Sequence, residues 1–151
     1  MKESRLTYRE KCPDVCWQKQ LRDKFLKEGT PPVPHLDVKR SVVREVSRRA
    51  AEQIIYKYEW LGTMSKTCWH YGLFYGNYCA GVVCVGRNIT GGAMTPKMFA
   101  LSSKEVLCLA RGACVHWAPK GSNSRLVSIA CKMLSRINAG KIVIAYSDTD
   151  A

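Results

Sequence analysis

The sequence predicts a mixed α+β (α/β) fold, a central sheet with flanking helices, and three observations carry that expectation. Runs at 67–75 and 78–86 are rich in aromatic, β-branched and small apolar residues, and Gly76-Asn77 between them suits a two-residue hairpin turn. Leu126, Ala130, Met133, Leu134 and Ile137 recur at helical spacing. That stripe lies between two more strand-like runs, 105–115 and 142–146, so strand, Gly-containing turn, helix and strand form one βαβ unit. Its strands should run parallel through a right-handed crossover.

Residues 1–36 read as a basic N-terminal extension, and residues 37–151 as the domain. Charge without sustained periodicity, and the stretch Gly29-Thr30-Pro31-Pro32-Val33-Pro34, make most of the extension a linker, with a short helix near Trp17 to Leu26. From Asp37 as N-cap, Val43, Val46, Ala50 and Ile54 recur at helical spacing, widened by Val42, Ala51, Ile55 and Tyr58. One amphipathic helix is expected from there to near Gly62. Its polar side would hold Lys39, Arg40, Arg44, Arg48, Arg49 and Lys57, which are either a solvated face or a phosphate-binding surface.

After the hairpin, 87–103 is a long loop containing Thr90-Gly91-Gly92 and Thr95-Pro96. The strand at 105–115 follows, and then Pro119-Lys120-Gly121-Ser122-Asn123-Ser124 leads into the second helix, stopped by Asn138 and Gly140. The chain stops at Ser147-Asp148-Thr149-Asp150-Ala151, directly after a strand with no closing element, so a truncated C-terminus with elements beyond it is expected.

Composition bounds the function. The chain has 151 residues, 46% of them hydrophobic, which suits one globular domain and argues against a disordered one. No apolar run reaches membrane-spanning length, and Met1-Lys2-Glu3-Ser4-Arg5 leads into charge, so a cytoplasmic protein is expected. Lys and Arg number 24 against 12 Asp and Glu, a net +12 that favours a polyanionic partner, although a merely soluble basic protein would look the same. Cys79, Cys84, Cys108, Cys114 and Cys131 sit inside apolar runs and read as reduced core residues. Cys12 and Cys16 lack a second pair at zinc-site spacing, so no metal site is expected.

The turn at 119–125 precedes a helix N-terminus, whose unpaired N–H groups bind phosphates, and Lys120 and Arg125 add charge. Many such turns use Gly and Ser only for capping. Arg111 lies within an apolar strand and needs a partner, with Glu105 and Asp148 the candidates beside a substrate. His70 and His116, each beside a Trp, read as buried hydrogen-bonded imidazoles rather than catalysts.

The order helix, hairpin, strand, phosphate-type turn, helix, strand resembles the central part of the GNAT acyltransferase superfamily. Its Gly-x-Gly/Ala turn is represented by Gly121-Ser122-Asn123, which lacks the second small residue. A more specific resemblance is to the Mom-like DNA-modification proteins of bacteriophages. It is carried by Tyr58-Glu59-Trp60-Leu61-Gly62, Ala80-Gly81-Val82-Val83, Leu109-Ala110-Arg111-Gly112, the turn from Pro119 to Leu126, and Ala145-Tyr146-Ser147-Asp148. A His expected at the end of the first helix in that family is replaced here by Tyr58-Glu59.

The resemblance implies an enzyme that uses acetyl-CoA or a related acyl-CoA, with double-stranded DNA as partner and the N6 amine of adenine as acceptor. In GNAT-type transfer the amine attacks the thioester between two parting parallel strands. The donor would be held by backbone around Cys114, Val115 and His116, and by Lys120, Gly121, Ser122, Asn123, Ser124 and Arg125. A carboxylate taking the amine proton would help, since the adenine N6 lone pair is delocalised. Asp148 at its strand end is the first choice, although it could cap a helix instead; Glu59 is the second, and Tyr146 lies beside them. Arg40, Arg44, Arg48, Arg49 and Lys57 would contact DNA, and some of Trp60, Trp69, Tyr71, Trp117 and Tyr146 would stack an extruded base. Two other readings stay open: an N-acetyltransferase for a small-molecule or protein amine, and a non-catalytic DNA-binding module.

Overall fold

The structure is a computed structural model and describes residues 17–32, 36–87 and 94–145. Helix α1 spans Trp17–Glu28, and a 3-10 turn at Val38–Arg40 precedes strand β1, Val42–Glu45. Helix α2 (Arg48–Tyr58), strands β2 (Trp69–Tyr75) and β3 (Tyr78–Arg87), and the short helix α3 (Met94–Met98) follow. Strand β4 (Val106–Cys114), helix α4 (Ser122–Arg136) and strand β5 (Ile142–Ala145) complete the described chain. The sheet order is β1-β2-β3-β4-β5. The first four strands are antiparallel neighbours, and β4 and β5 pair in parallel from Val106↔Ile142 to Leu109↔Ala145. The hairpin and the βαβ unit are therefore as expected.

Alternation along the strands sends successive side chains to opposite faces, and each face has its own helix. Helix α4 lays Leu126, Ala130 and Leu134 on Tyr71, Leu73, Val83, Val85 and Leu107. Helix α2 lays Ala51 and Ile55 on Val82, Cys84 and Ala113. Strand β3 is thus buried on both sides, which is why 82–85 read as a continuous apolar run. Each such leucine or isoleucine removed from water contributes roughly 1.5–3 kcal/mol.

The single helix expected over 37–62 is not formed. Asp37 caps only the 3-10 turn, accepting from the Lys39 N–H at 2.9 Å. Residues 42–45 then pair with β2, from Val42↔Phe74 to Glu45↔Tyr71. The helix begins one turn later, where the Ser47 Oγ accepts from the Ala50 N–H at 3.2 Å. Val42 and Val43 fit both periods over so short a run. The unpaired edge of β2 decides between them, because its N–H and C=O groups need partners.

Strand β4 carries a bulge. Cys84 pairs with Arg111 and Val85 with Leu109, so Ala110 is the extra residue, one position beyond the last described β4–β5 pair. A bulge bends and twists its strand. Here that kink falls just past the last described β4–β5 pair, where β4 runs on toward the α4 turn.

Candidate active site

An open cleft of about 670 Å³ forms at the end of β4. It is lined by the segment 112–116, by the turn 118–123, and by Glu59 and Trp60 at the end of α2. Gln18, Lys19 and Arg22 of α1 line it as well.

The turn is built to leave N–H groups open. Gly121 sits at φ 92, a left-handed conformation that L side chains rarely adopt, and supplies no side-chain cap to α4. The Ser122 N–H donates to the Pro119 carbonyl at 3.1 Å and the Arg125 N–H to the Gly121 carbonyl at 3.0 Å. Those of Asn123 and Ser124, in the first helical turn, have no acceptor among the described residues. The Ser122 hydroxyl is buried and committed: it donates to the Pro119 carbonyl at 2.7 Å and accepts from the Tyr75 hydroxyl at 3.0 Å. It stitches the turn to the core instead of facing a ligand.

Arg125 also differs from expectation. Its guanidinium donates to the Ser41 Oγ at 2.9 Å, the Ser41 carbonyl at 3.0 Å and the Lys39 carbonyl at 3.1 Å. Three well-placed oxygens hold it on the segment leading into β1, outside the cleft lining, which leaves Lys120 as the turn's cation. Ser124 is not part of the lining either.

Of Cys114 and Val115, the backbone of β4 commits one N–H to the β3 ladder and leaves the other. Cys114 faces Gly81 across the ladder, and the Val115 N–H donates to the Ala80 carbonyl at 2.9 Å, so Cys114 and Gly81 form a non-hydrogen-bonded pair. The Cys114 N–H therefore points to the other edge, where described pairing has ended. The strands approach so closely that a Cβ on Gly81 would lie 2.6 Å from the Cys114 Sγ. Burial pushes that thiol up to about 11, and the Cys84 thiol to about 12, so both stay protonated at neutral pH.

Of the expected catalytic residues, Glu59 lines the cleft, and its Oε2 accepts from the Gly62 N–H at 2.8 Å. Tyr146 and Asp148 lie outside the described residues. His116 lines the cleft, with its ring against Phe25 (centroids 5.4 Å apart) and Tyr58 (5.8 Å). Burial, then the Lys57 charge, lowers its pKa, favouring the neutral ring. Its Nδ1 is buried without a hydrogen-bond partner among the described residues. Thus His116 is not the satisfied imidazole expected, whereas His70 is: its Nε2 lies 2.8 Å from the Thr67 hydroxyl.

Of the five aromatics considered for stacking, Trp60 lines the cleft. Tyr71 is core, Trp117 packs edge-on against Tyr75, Trp69 lies under the Arg87 guanidinium, and Tyr146 is outside the described residues. Arg111 does not pair with Glu105. It donates to the Thr63 carbonyl at 2.8 Å and the Ala110 carbonyl at 2.6 Å, while Glu105 holds Lys141 at 2.6 Å.

The five cations expected on one helix face are dispersed, because that helix is split. Arg40 is in the 3-10 turn, and Arg44 is on β1 with its guanidinium 4.1 Å from the Phe74 ring centroid. Arg48 pairs with Glu52 at 2.9 Å and reaches the Ser65 carbonyl. Only Arg48, Arg49 and Lys57 share α2. Sequence reasoning missed Lys19 and Arg22, which a stripe of Gln18, Arg22 and Phe25 at helical spacing would have flagged.

The model of the Mom protein family matches residues 40–151. The chain belongs to the Mom protein family. In this Mom-family chain the matched span holds the whole sheet, α2 and α4, with α1 before it. An aminoglycoside acetyltransferase from an uncultured soil metagenomic sample aligns with a TM-score of 0.50 and 9% identity, over 72% of this chain and 80% of that one. Aminoglycoside N-acetyltransferase AAC(6')-Iy in complex with CoA aligns with a TM-score of 0.49 and 11% identity, over 78% and 82%. No curated protein sequence matches. The fold is thus of the GNAT acetyltransferase type, as its element order led one to expect. Among the described residues no helix is long and apolar enough to cross a membrane.

Proposed function

We propose that this Mom-family chain is a DNA-modification enzyme that transfers an acyl-type group from acetyl-CoA or a related acyl-CoA to the N6 amine of adenine. The observation that carries the reading is the Cys114 N–H, which points away from β3 without an acceptor among the described residues, in a cleft whose lining also holds the α4 turn and Glu59. These groups fit a CoA thioester: the open Asn123 and Ser124 N–H groups and Lys120 suit its diphosphate, and the cleft has the volume of a small-ligand site. Bound there, such a donor supplies an activated carbonyl.

The Cys114 N–H is placed to polarise that carbonyl, an effect worth roughly 2.7–4 kcal/mol where single donors of this kind have been removed. As the amine nitrogen forms its bond to carbon and the carbon–sulfur bond breaks, Glu59 takes the amine proton and the thiolate leaves. Trp60 offers the ring on which an extruded base stacks. The net charge of +12, with Arg40, Arg44, Arg49 and Lys57 at the surface, suits the duplex.

Co-expression of the chain with plasmid DNA, followed by digestion to nucleosides and mass spectrometry, tests this: a modified deoxyadenosine is expected. Only canonical deoxyadenosine, with abundant folded protein, would overturn it. Acetyl-CoA turnover with small amines, indifferent to DNA, would point instead to an ordinary N-acetyltransferase, and duplex binding without donor binding to a non-catalytic module.

A further inference from the structure

Helix α1 lies before the span matched by the family model, yet it forms part of the cleft. Two contacts seat it. The Gln18 Nε2 donates to the Tyr58 carbonyl, and the Phe25 ring meets His116 edge-on at 72°. Residues 18, 22 and 25 fall on one helical stripe, and Lys19 stands three residues before Arg22. The same seating therefore turns Lys19 and Arg22 to the cleft.

Their electrostatics are unbalanced. Neither forms an ion pair with a described residue, and Asp23 and Glu28 of the same helix do not reach them. The same lining holds Lys120 and the turn at the positive end of the α4 dipole. Among the described residues Glu59 is the one carboxylate in the lining, and it accepts from the Gly62 N–H. Three cations and a helix N-terminus around one cleft repel one another unless an anion of more than one charge lies between them.

We propose that Lys19 and Arg22 are the second jaw of a diphosphate clamp whose first jaw is the 120–124 turn. The clamp rests on the acyl-donor reading of the cleft and names the helix that completes the donor's phosphate subsite. A donor diphosphate, rather than a DNA backbone phosphate, fits because Lys120 and Asn123, whose N–H is open, line a concave site of small-ligand volume. Arg22 can fork two phosphate oxygens, whereas Lys19 acts as a point charge.

Titrations of the full chain with CoA, with inorganic pyrophosphate and with a short DNA duplex test the clamp. K19A/R22A should weaken CoA and pyrophosphate binding by roughly tenfold or more, an effect that shrinks as salt rises, while duplex binding changes by less than about threefold. K24A/K27A removes the same charge from exposed positions outside the cleft lining and should leave CoA binding within about twofold. K19R/R22K should restore most of the CoA affinity. Equal losses in K19A/R22A and K24A/K27A, unchanged CoA binding in K19A/R22A, or a loss confined to the duplex would each overturn the clamp. Should K19A/R22A fail to fold by circular dichroism, K19Q/R22Q is read against the same outcomes. Lys19- and Arg22-dependent CoA binding by a chain that modifies no adenine would uphold the clamp and overturn the DNA reading; adenine modification with normal CoA binding by K19A/R22A would do the reverse.

Discussion

The two halves of β4 put the same backbone to different uses. At 107–109 the strand has a partner on each side, and Val106 and Leu107 are fully buried. At 110–114, past the Ala110 bulge, it keeps β3 alone among the described residues and turns its other edge to the cleft. Satisfied hydrogen bonds and burial make the first half a source of stability. The second half has one ladder among the described residues, and the donor it turns to the cleft is the one the proposed reading gives to a substrate carbonyl.

Substitutions can break that contrast, beginning with the largest effect. Glu59→Gln keeps an oxygen for the Gly62 N–H but loses the base of the proposed reaction, so on that reading DNA-adenine modification should fall by roughly 10²–10⁴-fold in a variant that still folds by urea denaturation. Full activity in this variant would remove Glu59 from the chemistry. Leu107→Ala, in the closed half, should cost about 2–5 kcal/mol in urea denaturation because it opens a cavity between the sheet and α4. A cost below about 1 kcal/mol would show that the closed half is not the structural one.

Gly121→Ala forces a side chain to φ 92 and should cost about 1–2 kcal/mol, with CoA binding weakened as the turn relaxes. Calorimetry alongside the denaturation curve reads both. Cys114→Ala should change turnover by no more than about threefold, since a thiol held near 11 neither attacks nor ionises at neutral pH. Rapid labelling of that thiol by a disulfide reagent at pH 7 would contradict this.

The pH response is the smallest effect. His70 and His116 both have folded pKa values below 6.5, so the unfolded chain binds protons more readily. Their contribution to stability is full above 6.5 and is lost as pH falls through that value toward the folded pKa values. Denaturation midpoints should therefore drop between neutral and mildly acidic pH, and His116→Gln should drop less. An identical pH profile for the variant would show that His116 is not shielded from protonation.

What could be read in advance was local. Gly76-Asn77 closes its hairpin within a few residues, and the α4 stripe repeats inside one helix, so neither needs information from elsewhere in the chain. The 119–125 turn was recognisable for the same reason. Strand β1 was not: four residues satisfy helical and strand spacing alike, and the choice depends on an edge of β2 that lies 26 positions later where Glu45 meets Tyr71 and 32 later where Val42 meets Phe74. Arg125 read as a phosphate ligand because its charge is visible in sequence and the Ser41 and Lys39 oxygens that capture it are not.

By itself the sequence determined the fold class, the parallel βαβ unit, the open turn before α4 and the excess of positive charge, since each follows from periodicity, turn chemistry or composition. Only the tertiary structure decided which groups meet: Glu59 and Cys114 in one cleft lining, Phe25 of α1 against His116, and Arg125 and the Ser122 hydroxyl bound to other partners. The physical reason is that a hydrogen-bonding group goes to the nearest unsatisfied partner in space, and nearness across a fold is not written in the spacing of residues along the chain.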